Sequence, residues 1–322
     1  MSIKQTKRMI SQVFTVFMGL MCVLLILTSC SNELEGQGDN VNDGKISILS
    51  TTTMLNDMAN VIGGDLVDAQ SLVGPGVDPH TYQASAGDVE TMTDADVVIY
   101  NGYNLEAKMT EIFASLKDQD KNVICVEDAL DSADILADPE NPSADDPHIW
   151  NDVQLWIQVG EHVAERLGEI DPDNKDVYAQ NMADYKAELE EIEEYVIERT
   201  NEIPEDQRIL VTAHDAFGYF NSAYGYTVRG LQGISTETEA GTSDVSELAD
   251  FIVENKLKAI FVESAVTPKT IEALQAAVKD KGHDVAIGGT LYADSLGDEK
   301  SGTETYLKTL KHNIDTIANA LK

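Results

Sequence analysis

The sequence predicts an α/β protein with two lobes, each built on a parallel sheet and joined by a single long helix. Two observations predict this fold. Short apolar runs alternate with helix-like segments over residues 45–126 and again over 208–289, and such alternation is typical of parallel strands with right-handed crossovers. Between these regions, about thirty residues keep one unbroken helical period, which is too long for a strand.

The first lobe is predicted over residues 45–171. Its strands are KISILS, VDAQSLV, DVVIY and NVICV. Its helix-like segments lie at 54–62, 85–94 and 105–117. Ser85 followed by Asp88 forms a capping-box pattern, which marks the start of the second of these helices.

The second lobe is predicted over residues 204–322 by the same alternation. Its strands are RILVTAH, YTVRGLQ, KAIFVES and DVAIGG. Its helix-like segments lie at 215–224, 243–255, 268–281 and 303–321. Because parallel strands end at one edge of a sheet, residues that follow them are expected to face a common crevice.

The connecting segment is predicted as one helix over residues 172–203. Its apolar residues recur every three or four positions and are Tyr178, Met182, Tyr185, Leu189, Ile192 and Val196. A dimeric coiled coil would use the same stripe, but the stripe lasts fewer heptads than a coiled coil requires. The pattern therefore favours a stiff intramolecular helix that spans both lobes and permits only small tilts between them.

The first 29 residues are predicted to be a secretory signal. A basic segment precedes an apolar run, Val13 to Leu27, that is shorter than the about 20 residues of a membrane-spanning helix. The run ends in Leu-Thr-Ser-Cys, which resembles the bacterial lipobox, so we expect cleavage before Cys30 and lipid attachment to its thiol. Residues 30–44 are polar and glycine-rich, which predicts a flexible tether. The mature chain would then be extracytoplasmic and anchored to the bacterial membrane by its lipid.

The net charge limits the kinds of molecule that the protein is expected to bind, and the cysteine content predicts no disulfide within the folded part. The chain carries a net charge of −35, and the signal contributes three positive charges and no acids, so the remainder carries about −38. This argues against nucleic acid and anionic lipid headgroups as partners. Cys125 alone lies in the folded part, inside an apolar run, and is predicted to be an ordinary buried residue.

Three of the six histidines lie where the predicted strands end. His80 and His148 each stand in an Asp-Pro-His sequence, beyond the second and fourth strands, and His214 ends the first strand of the second lobe. Ligands of open α/β sheets bind beyond the carboxyl ends of strands. We therefore expect these three side chains in one crevice between the lobes. The other histidines, predicted to be structural or solvated, are His162, His283 and His312.

A metal ion held by three imidazoles needs a fourth ligand for a closed tetrahedral site. Asp294 follows the last strand of the second lobe and would add a negative charge. Glu263, at the end of KAIFVE, is the competing candidate. We prefer Asp294 and expect Glu263 to orient an imidazole or to be a buried, hydrogen-bonded acid. The predicted ligands are His80, His148, His214 and Asp294.

The motif series resembles that of the TroA-like metal-binding lipoproteins. It consists of GVDPHTYQAS, DPHIWND, VTAHDAFGYF, GLQGIST, FVES and LYADSLGDEKSGTETYLKTLKHNIDTI, in this order within residues 45–322. The resemblance implies the solute-binding subunit of a manganese or zinc ABC transporter, with the ion between two lobes joined by one backbone helix. When the motifs are matched one by one, the resemblance implies His80, His148, His214 and Asp294 as the ligands. It places Glu263 at a position near the site that is acidic in the family.

The implied function is capture of Mn²⁺ or Zn²⁺ outside the membrane and delivery to a membrane permease driven by a cytoplasmic ATPase. The protein would be a monomer and not an enzyme. Some manganese-binding members of the family carry glutamate where this chain has His214, and zinc-dedicated members often have a histidine-rich loop. Here the corresponding loop is acidic and lacks histidine. The Irving–Williams order predicts tighter binding of zinc in vitro, whichever ion is the physiological cargo.

The sequence is also compatible with two other functions. A metal-dependent adhesin would use the ion only for structure. An extracytoplasmic zinc hydrolase would use the three histidines with Glu263 as general base, but four protein ligands leave no open position for a reacting water. For the transport function, we expect the loops that carry His80, His148 and Asp294 to become ordered when metal binds.

Overall fold

A computed structural model describes residues 44–139 and 141–322 of the chain. The predicted signal, the lipidation site Cys30 and the tether up to Asp43 lie outside these residues. Within the described ranges, no helix is both long enough and apolar enough to cross a bilayer.

The first half contains one parallel sheet. Its strands are β1 (Ile46–Ser50), β2 (Val67–Ser71), β3 (Val97–Tyr100) and β4 (Asn122–Cys125), in the spatial order β2-β1-β3-β4. The helices between them are α1 (Thr53–Gly63), α2 (Ala86–Asp94) and α3 (Thr110–Asp118). The capping box predicted at the start of α2 is confirmed, because Ser85 and Asp88 exchange hydrogen bonds between side chain and backbone in both directions. Cys125 is buried and free, as predicted.

Two helices follow the first sheet. They are α4 (Val153–Ile170), which carries His162, and the long α5 (Lys175–Asn201). The predicted apolar stripe of α5 packs inside the chain: Tyr178, Met182, Tyr185, Leu189 and Val196 are buried. Because this stripe is covered within the chain, it is not available for a dimeric coiled coil.

The second half pairs its strands in two separate ladders. β5 (Ile209–His214) is parallel to β6 (Thr227–Gln232), and β7 (Ala259–Glu263) is parallel to β8 (Ala286–Leu291). The helices are α6 (Gly218–Tyr224), α7 (Thr242–Asn255), α8 (Lys269–Asp280) and α9 (Tyr306–Leu321). At the carboxyl ends of β5 and β7, the Glu263 carboxylate accepts the backbone N–H groups of Ala213 and His214. A side chain of β7 thus bonds to the backbone at the end of β5.

The last strand lies two residues further along the chain than the predicted segment 284–289. Gly288 and Gly289 lie inside it, at an irregularity in the register between β7 and β8. A Cβ on Gly288 would come within 2.6 Å of the Phe261 ring, so this close approach requires glycine. Because β8 continues to Leu291, Asp294 follows the strand by three residues and lies at the carboxyl-end edge.

The helix α5 packs against both halves. Asn181 donates from its side chain to the carbonyl of Ile62 in α1, at 2.8 Å. Near its other end, Tyr195 and Arg199 both donate to Asp315 in α9. Residues 44–322 form one compact unit, and the lobe boundaries at 171 and 204 stay a prediction.

Candidate metal centre

Four side chains from separate segments converge at the carboxyl ends of the strands. His80 comes from the loop after β2, His148 from the loop after β4, His214 from the end of β5 and Asp294 from the loop after β8. Each offers a nitrogen or oxygen atom, and these atoms all lie within 4.8 Å of one another. All four residues are buried. The structure thus brings together the four predicted ligands.

Asp146, two residues before His148, holds this histidine in place. Its Oδ1 accepts from His148 Nδ1 at 2.7 Å and from the backbone N–H of His148 at 3.0 Å. Its Oδ2 lies 2.6 Å from where a Cβ on Gly218 would be, so the absence of a side chain at Gly218 makes room for this carboxylate. With Nδ1 engaged, His148 directs Nε2 towards the other ligand atoms.

Glu263 holds His214 in the same manner. Its Oε2 lies 2.5 Å from His214 Nδ1, while its Oε1 accepts the two backbone N–H groups at the end of β5. Both oxygens are therefore engaged on the far side of His214 from Asp294. A carboxylate on the second ring nitrogen fixes the tautomer that leaves Nε2 free to bind a metal.

The three imidazole Nε2 atoms surround the carboxylate of Asp294. The distances to an Asp294 oxygen are 3.0 Å from His214, 3.4 Å from His148 and 3.7 Å from His80. His214 Nε2 and both Asp294 oxygens are buried without a hydrogen bond of acceptable geometry. Buried polar atoms are normally paired. Three unsatisfied atoms at one point, all of them metal-ligating types, fit a cation held among them.

The electrostatics of the cluster depend on opposing effects. Burial disfavours the Asp294 carboxylate, but the three imidazoles outweigh burial and hold the pKa of Asp294 well below its usual range. Burial also disfavours a charged His214, but Asp294 and Glu263 outweigh it and raise the pKa of His214 well above 6.5. Burial lowers the pKa of His80 to about 4, against the opposing charge of Asp294. The raised pKa of His214 favours its charged form beside Asp294.

Sequence reasoning missed three residues that support the site. Asp78 accepts from the backbone N–H of His80 at 2.8 Å, and Asp146 holds the His148 ring. Trp150 Nε1 donates to the carbonyl of Ala293 at 2.8 Å, which joins the His148 segment to the Asp294 segment. The sequence did indicate Asp78 and Asp146, because each begins an Asp-Pro-His sequence. An aspartate side chain in such a turn can accept a hydrogen bond from the backbone N–H two residues later. Nothing in the sequence indicated the partner of Trp150.

The other three histidines lie outside the cluster. His283 Nε2 is 2.8 Å from the carbonyl of Leu257, and His312 Nε2 is 3.0 Å from the carbonyl of Thr290. His162 lies within α4 and is half-buried. Within the described ranges, the cluster of His80, His148, His214 and Asp294 is the one group of potential metal ligands.

Known metal-binding proteins are similar to this chain over its whole folded part. The family described as "Zinc-uptake complex component A periplasmic" matches residues 48–320. The manganese-binding lipoprotein MntA of Bacillus subtilis is 39% identical over 94% of this chain and 99% of its own length. The zinc-binding protein TroA of Treponema pallidum is 43% identical over 93% of this chain and 97% of its own. A solved structure of that periplasmic zinc-binding protein covers 86% of this chain and 99% of its own, with a TM-score of 0.84.

Proposed function

Since this chain belongs to the zinc-uptake complex component A family of solute-binding proteins, we propose that it captures a divalent transition metal ion and delivers it to an ABC transporter. One observation carries the proposal: three imidazole nitrogens and a carboxylate converge, buried, with unsatisfied ligating atoms directed at one another. Such a set provides the four ligands of a closed site without a substrate position. This disfavours catalysis, and in the proposed transport function the metal is cargo that His80, His148, His214 and Asp294 bind.

The cargo is manganese or zinc, and the ligand set suits both. Imidazoles favour zinc, and carboxylates accept manganese. Relatives of nearly equal identity differ in the metal that their names give, one being called manganese-binding and the other zinc-binding. Because manganese lies at the weak end of the Irving–Williams order, zinc binds more tightly in vitro even where manganese is the cargo.

We further propose a lipid-anchored, monomeric protein that delivers its ion to a permease driven by a cytoplasmic ATPase. Two of the relatives are named as a lipoprotein and as a periplasmic protein. The lipobox-like Leu27–Cys30 supports attachment at the Cys30 thiol. A delivery surface around the cleft, on both lobes, follows from the position of the ligands at the carboxyl ends of the strands.

The hydrolase alternative is disfavoured by the contacts of Glu263. A general base must face the water that it deprotonates, whereas both oxygens of Glu263 are engaged by His214 and by two backbone N–H groups. A metal-dependent adhesin would share the same site, and loss of metal uptake on deletion distinguishes transport from it.

The experiment that tests the proposal combines uptake with metal analysis. We expect deletion of the gene to reduce manganese or zinc uptake and the intact gene to restore it. Protein purified from its native host should carry about one ion per chain. Competition titration should then place zinc above manganese at equal free concentration. Purified protein that binds neither ion, or manganese outcompeting zinc, would overturn this assignment.

Metal affinity is expected to rise with pH through neutrality. The ion must displace the proton of His214, whose pKa is raised well above 6.5, whereas His80, with a pKa of about 4, is already neutral. Each proton released per ion makes affinity increase about tenfold per pH unit, and His214 contributes one such proton. Because the pKa of His214 is raised, the fall in affinity on acidification begins at a higher pH than the about 6.5 of an ordinary histidine. Calorimetric titration in two buffers of different ionisation enthalpy counts the proton, and a flat affinity between pH 6 and 8 would contradict the prediction.

A further inference from the structure

The three histidines of the cluster are held in different ways. Asp146 holds the second ring nitrogen of His148, and Glu263 holds that of His214. Among the described residues we find no such partner for Nδ1 of His80, whose Nε2 faces His148 at 3.2 Å. Two imidazoles are therefore fixed by buried carboxylates, whereas the His80 ring takes its position from its loop.

The loop that carries His80 has little hydrogen bonding of its own. Over residues 74–81, the described chain has a single backbone-to-backbone hydrogen bond, from Val77 N to Gly74 O at 3.2 Å. Segments with few internal hydrogen bonds and an exposed surface open at low free-energy cost, and the side chain of Val77 is exposed. His214, by contrast, is part of a strand. The His148 segment has more backbone bonds, among them Asp146 N to Leu136 O at 2.8 Å and Asn151 N to His148 O at 3.2 Å. Of the three histidine segments, the His80 loop is therefore the easiest to open.

Two hydrogen bonds fasten this loop to the other side of the cleft. Thr236 Oγ1 donates to Asp78 Oδ2 at 2.6 Å, and Gly76 N donates to Ser295 Oγ at 3.0 Å. Asp78 uses its other oxygen to accept the backbone N–H of His80 at 2.8 Å. Asp78 thus connects the backbone of a ligand to a side chain of the second lobe.

A neighbouring ion pair spans the same gap. Lys108 Nζ lies 2.5 Å from Glu237 Oε1, one residue after Thr236. Both charged side chains are exposed, so the pair contributes little by itself. The bond from Thr236 is better shielded because Thr236 and Asp78 are both half-buried. It also involves a charged acceptor, and such hydrogen bonds are stronger than neutral ones.

The burial of the ligands requires that one of these segments moves during exchange. All four ligands are buried, so an ion reaches them only through an opening. We propose that Asp78 and Thr236 are positioning residues that form a latch over the site, and that opening of this latch limits both uptake and release of the ion. The inference rests on the proposed function, because it concerns metal exchange at the same site.

The test replaces the Thr236 hydroxyl by a methyl group. In Thr236→Val we expect the association and dissociation rates of zinc each to rise about tenfold, because a hydrogen bond to a charged acceptor no longer opposes opening. In this proposal the latch is closed both before and after binding, in place of the ordering on binding that the sequence predicts for the His80 loop, so the equilibrium Kd should stay within about threefold. Dissociation is measured by mixing zinc-loaded protein with excess chromogenic chelator, and association by stopped-flow fluorescence of Trp150, whose ring centroid lies 5.3 Å from that of His148.

Two further variants serve as controls. Thr238→Val makes the same change two residues away, at an exposed threonine whose hydroxyl has no hydrogen bond that we find in the described chain. Its rates should equal those of the wild type. Thr236→Ser keeps the hydroxyl and should restore slow exchange. Thermal unfolding of all variants checks that the fold is unchanged.

The outcomes separate the latch from the proposed function. Wild-type rates in Thr236→Val would overturn the latch, and so would a weaker Kd with unchanged association, because the pair would then only support the bound site. Equal acceleration in Thr238→Val would also overturn it. If the wild type binds neither zinc nor manganese at equilibrium, the proposed function fails and the latch with it.

Discussion

Asp294→Ala is expected to weaken the binding of zinc and manganese by roughly 10³-fold, the largest effect of any single substitution at the site. Asp294 is the one anionic residue among the four proposed ligands, and its side chain is fully buried between three imidazoles. Removing one partner from a buried charged group costs about 3–5 kcal/mol, because the remaining charge is then uncompensated. Competition titration with a chelator of known affinity measures the loss for both ions.

The matched control for this substitution is Asp284→Ala. Asp284 is an exposed residue of the same half, so its replacement removes the same formal charge without touching the cluster. Asp294→Asn, which keeps the shape of the side chain, separates the charge from the volume and should also bind poorly. Near-wild-type affinity in either Asp294 variant would mean that the metal is held elsewhere.

The secondary structure could be predicted largely from periodicity. Strands buried between helices are continuous apolar runs, and the stripe of α5 is long enough to exclude a strand. The error at β8 has a local cause, because Gly288 and Gly289 resemble a strand end although they lie in an irregular register. The separate pairing of β5–β6 and β7–β8 was not predicted, and no sequence pattern indicated that the Glu263 side chain of β7 bonds to the backbone of β5.

The candidate ligands could be predicted for a topological reason. Strand ends in a parallel sheet share one edge, so residues far apart in sequence, such as His80 and His214, meet there. The supporting contacts could not be predicted, because they depend on side-chain directions that the sequence does not encode locally. The bonds from Trp150 to Ala293 and from Thr236 to Asp78 both join the first half of the chain to the second. Contacts between residues so far apart along the chain leave no periodic pattern in the sequence.

Glu263 is the residue whose replacement should affect folding and metal binding together. In Glu263→Ala, three buried N–H groups lose their acceptor: the backbone donors of Ala213 and His214 and the Nδ1–H of His214. Each unsatisfied donor costs about 1–3 kcal/mol, so we expect about 3 kcal/mol or more of lost unfolding free energy. Metal affinity should fall about 10- to 100-fold, as is typical when the partner of a ligating imidazole is removed. Chemical denaturation of metal-free protein and chelator competition measure the two effects separately.

Glu263→Gln separates the two roles of this carboxylate. The amide oxygen of glutamine still accepts the two backbone N–H groups, so the unfolding free energy should stay within about 1 kcal/mol of the wild type. The amide N–H₂ then faces Nδ1 of His214, which must become an acceptor and move its proton to Nε2. A protonated Nε2 cannot bind a metal, so affinity should fall although the fold is intact. Wild-type affinity in this variant would show that Glu263 does not set the tautomer, and a greater loss of affinity in Glu263→Ala than in Asp294→Ala would reverse the choice of Asp294 as the fourth ligand.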